Sequence, residues 1–189
     1  MENCKALVIG GSAGSLDVLL KVLPGINPLL AFPIILVLHR KPGKDSILTG
    51  LLASKTQLRV KEVEEKEKLL PATLYIAPPD YHLLIENDGT LSLDASEKVN
   101  FSRPSIDVTF ESAAEVYEEN VVCLLLSGAN SDGTAGLQKV KEKGGRALIQ
   151  KPSSAVVSFM PEYAMEHVAV DAVLDTAEMP DYINKLGND

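Results

Sequence analysis

A chain of 189 residues with 46% apolar and 23% charged residues is long enough to bury a full core, and reads as one domain over residues 1–189. A net charge of −8 and a pI near 4.9 exclude the basic face that nucleic-acid binding needs, and leave room only for a local basic patch facing an acidic protein partner. No apolar run is long enough to cross a membrane, and a first strand so close to the start predicts no signal peptide.

The first informative stretch is Leu7-Val8-Ile9-Gly10-Gly11-Ser12-Ala13-Gly14-Ser15. An apolar run stops at two glycines, and Leu16, Leu19, Leu20 and Leu23 then recur at helical spacing until Pro24-Gly25. This predicts strand, tight turn and helix, with the Ser12 hydroxyl at the tip of the turn. Three readings stay open on these residues alone. Gly10-x-Ser12-x-Gly14 fits the nucleophile elbow of serine hydrolases. The unpaired N–H groups opening the helix fit a phosphate cradle. A glycine-rich turn that only lets strand and helix pack is the third. The dinucleotide form of the cradle fails, because the glycines do not fit G-x-G-x-x-G and no acidic residue ends the next strand. No P-loop pattern occurs either.

Residues 33–38 form a continuous apolar run suited to a central parallel strand, and His39 ends it. A helix is expected from Asp45, burying Ile47, Leu48, Leu51 and Leu52. Residues 58–63 read as a strand, residues 62–68 as a charged, solvated loop, and residues 73–77 as another strand. Residues 81–86 and the alternation around Leu91 and Leu93 flank Asn87-Asp88-Gly89, which predicts an antiparallel ribbon. Arg103-Pro104-Ser105-Ile106-Asp107 opens a helix through Val116 and Tyr117. Residues 121–126 are a second fully apolar run, broken at Ser127-Gly128-Ala129-Asn130-Ser131-Asp132-Gly133 before a helix through Leu137 and Val140. Residues 146–150 read as a strand, and the tail from Pro161 as short helical pieces with a strand over 168–170.

Cys4 and Cys123 are expected as buried thiols in a reducing, cytoplasmic compartment, without metal-ligand spacing. The Asn100-Phe101-Ser102 sequon carries no weight in a chain that is not secreted. Alternating β and α elements with short connections imply an α/β, Rossmann-like fold, an open and mostly parallel sheet with helices on both faces plus one antiparallel hairpin. Ligands in such sheets sit beyond the carboxyl ends of the strands. Ser12, His39 and Asp132 all fall there. Taken singly, His39 fits an exposed polar strand end and Asp132 fits the N-cap of the helix it precedes. Taken together they supply a nucleophile, a base and a carboxylate to orient the base. His82, in the ribbon, and His167, in the tail, follow no central strand.

These blocks together resemble the chemotaxis-type protein-glutamate methylesterases. The resemblance rests on Val8-Ile9-Gly10-Gly11-Ser12-Ala13-Gly14, His39, and Leu74-Tyr75-Ile76-Ala77-Pro78-Pro79-Asp80-Tyr81-His82-Leu83. It continues through Ser102-Arg103-Pro104-Ser105-Ile106-Asp107, residues 126–137, and Gln150 followed by Met160-Pro161. It spans nearly the whole chain, and the combination is specific where no single block is. It implies a three-layer α/β/α sandwich that hydrolyses glutamate γ-methyl esters on chemoreceptor cytoplasmic helices, with deamidation of particular glutamines in some members. Ser12 would be the nucleophile, His39 the general base and Asp132 its orienting carboxylate. N–H groups of Ala13 and Gly14, with the Gly128-Ala129 turn, would hold the oxyanion. Neither metal nor cofactor is implied, nor membrane insertion.

The chain departs from the family pattern at Ala13, where a hydroxyl residue is frequent, at Ala129, where methionine is common, and at the basic pair Arg40-Lys41. None of these is one of the three site residues. The receiver domain of familiar members is not expected before a strand that begins this early. The esterase would then be constitutive, or regulated by a separate polypeptide, or the chain is a piece of a longer protein. The competing function is a catalytically idle module that binds receptors or signalling proteins with the same fold. A generic small-ester or amide hydrolase would share the chemistry and differ in substrate.

Overall fold

The computed structural model describes residues 4–40 and 46–187. Strand β1 (Ala6–Gly11) leads through α1 (Ser15–Val22) to β2 (Ile34–Leu38), followed by α2 (Ser46–Ala53), β3 (Arg59–Glu62) and β4 (Thr73–Ile76). The antiparallel ribbon β5 (His82–Ile85) and β6 (Leu91–Asp94) precedes α3 (Ile106–Tyr117), β7 (Val121–Leu125) and α4 (Thr134–Glu142). The chain continues through β8 (Arg146–Gln150), α5 (Phe159–His167), β9 (Ala172–Leu174) and α6 (Met179–Lys185). Expectations on Lys41 and Asp45 lie outside the described residues.

The main sheet is parallel throughout, in the order β3-β4-β2-β1-β7-β8-β9. The apolar runs behave as their composition requires: β1, β2 and β7 are buried along their whole length, because helices cover both faces. On one face Leu7, Ile9, Leu36 and Leu124 pack with Val18 and Leu19 of α1, Leu52 of α2 and Ile183 of α6. On the other, Val8, Val37 and Leu125 meet Ile106 and Phe110 of α3, Leu137 of α4 and Met160 of α5, with Leu83 of the ribbon. Each such fully buried side chain contributes roughly 1.5–3 kcal/mol. The fold is the expected three-layer α/β/α sandwich.

Chain order reverses direction at β1. From β1 the chain moves outward to β2 and β4, then returns to β7 on β1's other side, which makes this the crevice where doubly wound sheets place ligands. Register aligns the three central strands: Gly10 is level with Val37 of β2 and Leu125 of β7. Backbone bonds extend that alignment past the strand ends, from His39 N–H to the Gly11 carbonyl (3.1 Å) and from Ser12 N–H to the Ser127 carbonyl (2.9 Å). The segments carrying Ser12, His39 and Asp132 therefore leave the sheet on one rim.

Three local expectations are corrected. The tail strand is Ala172–Leu174, not 168–170. Val168 N–H still bonds the Ala164 carbonyl at the end of α5, and Asp171 sets the register by pairing both its N–H and its carboxylate with Ala147 (2.8 and 2.7 Å). In α1 the fully buried face is Ser15, Val18, Leu19 and Val22, and Leu16 and Leu20 are only half-buried. In α2, Leu48 and Leu52 are buried but Ile47 is 73% exposed. Of these, Leu16 and Ile47 lie at the rim beside Ser12.

Candidate active site

The turn after β1 is made by glycines. Gly14 has φ +82°, a conformation that a side chain disfavours, and a Cβ there would lie 2.6 Å from Val156 Cβ. Gly10 lets α3 approach the strand, since a Cβ would overlap Ile106 Cγ2. Buried hydroxyls then hold the turn. Ser15 Oγ donates to the Ser127 carbonyl (2.8 Å), and Ser127 Oγ donates to the Ala13 carbonyl (2.7 Å) while accepting from Val157 N–H (2.9 Å). Gln150, fully buried at the end of β8, accepts from Ser127 N–H at 3.0 Å. Ser12 is half-buried, and its own hydroxyl makes no hydrogen bond to any described residue.

His39 and Asp132 meet directly. His39 Nε2 lies 2.6 Å from Asp132 Oδ2, with the imidazole 11% exposed and the carboxylate fully buried. Nε2 must carry the proton, because the facing carboxylate accepts only, which leaves Nδ1 as the open ring nitrogen. Asp132 also accepts from Ile106 N–H (2.7 Å), Asp107 N–H (3.0 Å), Ser105 Oγ (2.9 Å) and Asn100 Nδ2 (3.1 Å). It is thus chiefly the cap of α3, not of α4, the helix it precedes. Asp107 returns the exchange: from the first turn of α3 it accepts from Gly133 N–H (2.9 Å) and Gly136 N–H (2.7 Å) at the start of α4. The two helices are capped by each other's carboxylates, and Asn100 Nδ2 bridges both acids.

This environment separates the two acids. Burial would raise Asp132, but the His39 hydrogen bond and the N–H groups of Ile106 and Asp107 outweigh it and hold the carboxyl at about 2. Burial pushes Asp107 up; the Gly136 N–H draws it back, and the Asp132 charge raises it again, to about 6. Asp132 is therefore an anion against His39 at neutral pH, suited to stabilising a cationic imidazole.

The expected oxyanion donors divide. Ala13 and Gly14 have N–H groups without a partner among the described residues, and Ala129 is exposed with its N–H likewise unclaimed. Gly128 departs from the expectation: its N–H is already donated to the Val157 carbonyl at 3.1 Å. His82 is structural, donating from Nε2 to the Glu97 carbonyl (2.8 Å) and accepting from Ser105 N–H at Nδ1 (3.1 Å). His167 bonds the Tyr163 carbonyl on α5, away from the rim. Among the described residues no group of three or more His, Cys, Asp or Glu side chains is placed to hold a metal ion. Cys4 and Cys123 are buried free thiols, and burial pushes Cys4 up to about 12.

His39 stands between two hollows. One, about 270 Å³, has Ser12, Leu16, Arg40, Ile47 and Leu51 on its walls. The other, about 290 Å³, has Arg40, Lys98, Phe101 and Arg103. Sequence reasoning missed the supports Asn100, Ser105, Asp107 and Ser127 as parts of the site. A serine or aspartate opening a helix was the available signal, but it points to the residue's own helix.

The CheB methylesterase family model matches residues 7–183. A Leptospira interrogans protein, provisionally named a protein-glutamate methylesterase/protein-glutamine glutaminase, is 44% identical over 184 residues, 97% of this chain and 95% of its own. A Thermotoga maritima protein of the same name is 36% identical over 96% of this chain, which spans 54% of that protein's length. The crystal structure of the Thermotoga maritima CheB methylesterase catalytic domain is similar with a TM-score of 0.92 at 36% identity, covering 96% of this chain and 98% of that one.

Proposed function

The chain belongs to the CheB methylesterase family, and from that premise we propose that it is a serine-dependent protein-glutamate methylesterase acting on chemoreceptor cytoplasmic helices. The observation that carries the reading is the 2.6 Å contact of His39 Nε2 with a buried Asp132 held at about 2, in a hollow shared with a Ser12 hydroxyl that makes no hydrogen bond to any described residue.

In the proposed reaction, Ser12 Oγ attacks the ester carbonyl and its proton passes to His39 Nδ1, the ring nitrogen that Asp132 leaves open. The contact between Oγ and Nδ1 forms as substrate seats, which is common where the empty site holds the pair apart. The Ala13 and Gly14 N–H groups, at the positive end of α1, stabilise the oxyanion. Collapse of the tetrahedral intermediate breaks the ester C–O bond, and the imidazolium returns its proton to the departing methoxide. A water repeats the sequence on the acyl-serine, releasing glutamate and restoring Ser12. A glutamine side chain entering the same route would expel ammonia in place of methanol.

Methanol release from a methylated receptor cytoplasmic fragment tests this. Wild type should release methanol, and Ser12→Ala should lose at least about 10⁴-fold in rate. Equal release by both would remove Ser12 from its role. Receptor binding without release by wild type would favour the idle module.

A further inference from the structure

The hollow on the far side of His39 from Ser12 has a polarity at odds with the chain as a whole. The protein carries a net charge of −8, yet this wall brings together Arg40, Lys98 and Arg103, with Asp80 as the only acid among the described residues that line it. Arg40 is the unusual member. Its side chain is 9% exposed, and Nη2 alone makes both of its hydrogen bonds, to Glu62 Oε2 and to the Ala77 carbonyl, each at 2.9 Å. Nε and Nη1 are buried and have no partner among the described residues. Arg103 repeats the pattern: Nη1 donates to the Ala95 and Ser96 carbonyls (2.9 and 2.7 Å), while Nε is buried without an acceptor.

A buried guanidinium that leaves N–H groups unmatched gives up much of what offsets its desolvation. Glu62 and the Ala77 carbonyl engage Nη2, and Nε and Nη1 of Arg40 have no acceptor among the described residues. The hollow is also contiguous with the reaction centre, since His39 lines it as well as the groove of Ser12. Phe101, 99% exposed at a positive φ of 61°, stands at the same wall.

We propose that this hollow is a carboxylate subsite: it takes an acidic side chain of the substrate segment, close to the glutamyl ester seated at Ser12, through Arg40, Lys98 and Arg103. The enzyme then selects esters lying in acidic sequence. Residues three or four apart on a helix lie about 5–6 Å from each other, so a glutamate one turn from the ester is placed to enter the second hollow while the ester occupies the first. That the acid belongs to an ester-bearing segment rests on the proposed esterase function; the cationic hollow does not.

The test is binding, read by fluorescence anisotropy on Ser12→Ala so that the ester survives. Two labelled helical peptides carry one γ-methyl glutamyl ester, flanked one turn away on both sides by glutamate in the first and glutamine in the second. The glutamate peptide should bind about tenfold tighter at low salt, the size expected of one charge-assisted hydrogen bond, and the margin should shrink at high salt. Arg40→Gln should abolish most of the preference. Because Arg40 also ties to β3, Lys98→Gln, on an exposed side chain, is the second variant and should reduce it severalfold. Equal affinity for the two peptides in the parent protein overturns the subsite. Methanol release by wild type from the same peptides is scored apart: charge preference without release keeps the subsite and removes the esterase, and release without preference does the reverse.

Discussion

Asp132 carries two duties that residue-level reasoning treats as alternatives. It orients His39 and it caps α3, accepting from Ile106 and Asp107 N–H with the same carboxylate. An asparagine would have to turn its NH₂ toward at least one of these donors. Asp132→Asn should therefore cost about 2–4 kcal/mol of stability as well as about 10⁴-fold in ester turnover. Urea denaturation beside a turnover assay checks both, and full stability with lost turnover would show the cap to be dispensable. The neighbouring Asp107 acts through pH. It is raised to about 6 from an ordinary 3.8, so the folded state binds its proton more tightly and stability falls as pH rises from about 4 to 6. Asp132, held at about 2, works oppositely: its contribution, about 2 kcal/mol, is present above pH 4 and lost as pH falls toward 2. The pair together favours a stability maximum near pH 4. Comparing denaturation of wild type and Asp107→Asn across pH 2–7 should flatten the fall between pH 4 and 6.

Among the elements, the β1–α1 turn depends on a strand that follows it by more than a hundred residues. Ser127, just past β7, holds the Ala13 carbonyl and the 157 backbone through one hydroxyl. Ser127→Ala leaves Val157 N–H and the Ala13 carbonyl without that partner, at a cost of about 1–3 kcal/mol. The Ser12 turn should loosen with it, and on the proposed mechanism the displaced Ser12 lowers kcat by roughly ten- to a hundredfold, with KM little changed. An unaltered kcat in a destabilised protein would confine Ser127 to folding. The ribbon β5–β6 was legible because Asp88-Gly89 sits between alternating runs, and Gly89 does take φ +77°. β9 was not, because valines at 168 and 170 alternate like a strand while Asp171, a polar residue, sets the register through Ala147.

At the scale of the molecule, the rim works because register in a parallel sheet is shared. With Gly10 level with Val37 and Leu125, three loops distant in sequence open side by side. The reciprocal caps between α3 and α4 then lock the loop after β7 to the start of α3, so the carboxylate facing His39 is fixed by two helices at once. The rim is also asymmetric: Arg40 borders both hollows, but the Ser12 side is otherwise lined mainly by apolar residues, and Lys98 and Arg103 line only the hollow beyond His39. A helix lying across it would present an ester to one half and an acid to the other.

The sequence by itself determined the sheet, the ribbon, the order of the helices and the strand-end positions of Ser12, His39 and Asp132. Those features rest on hydrophobic period and on glycine, proline and capping residues, which act over a few positions of chain. Tertiary structure alone decided the imidazole nitrogen that Asp132 engages, the helix it caps, and the loss of the Gly128 N–H to Val157. It also decided that Arg40 would lie buried and line one hollow with Arg103, with donors to spare. Each of these brings together groups 25 to 93 residues apart, set by sheet register and packing, and no local pattern encodes it.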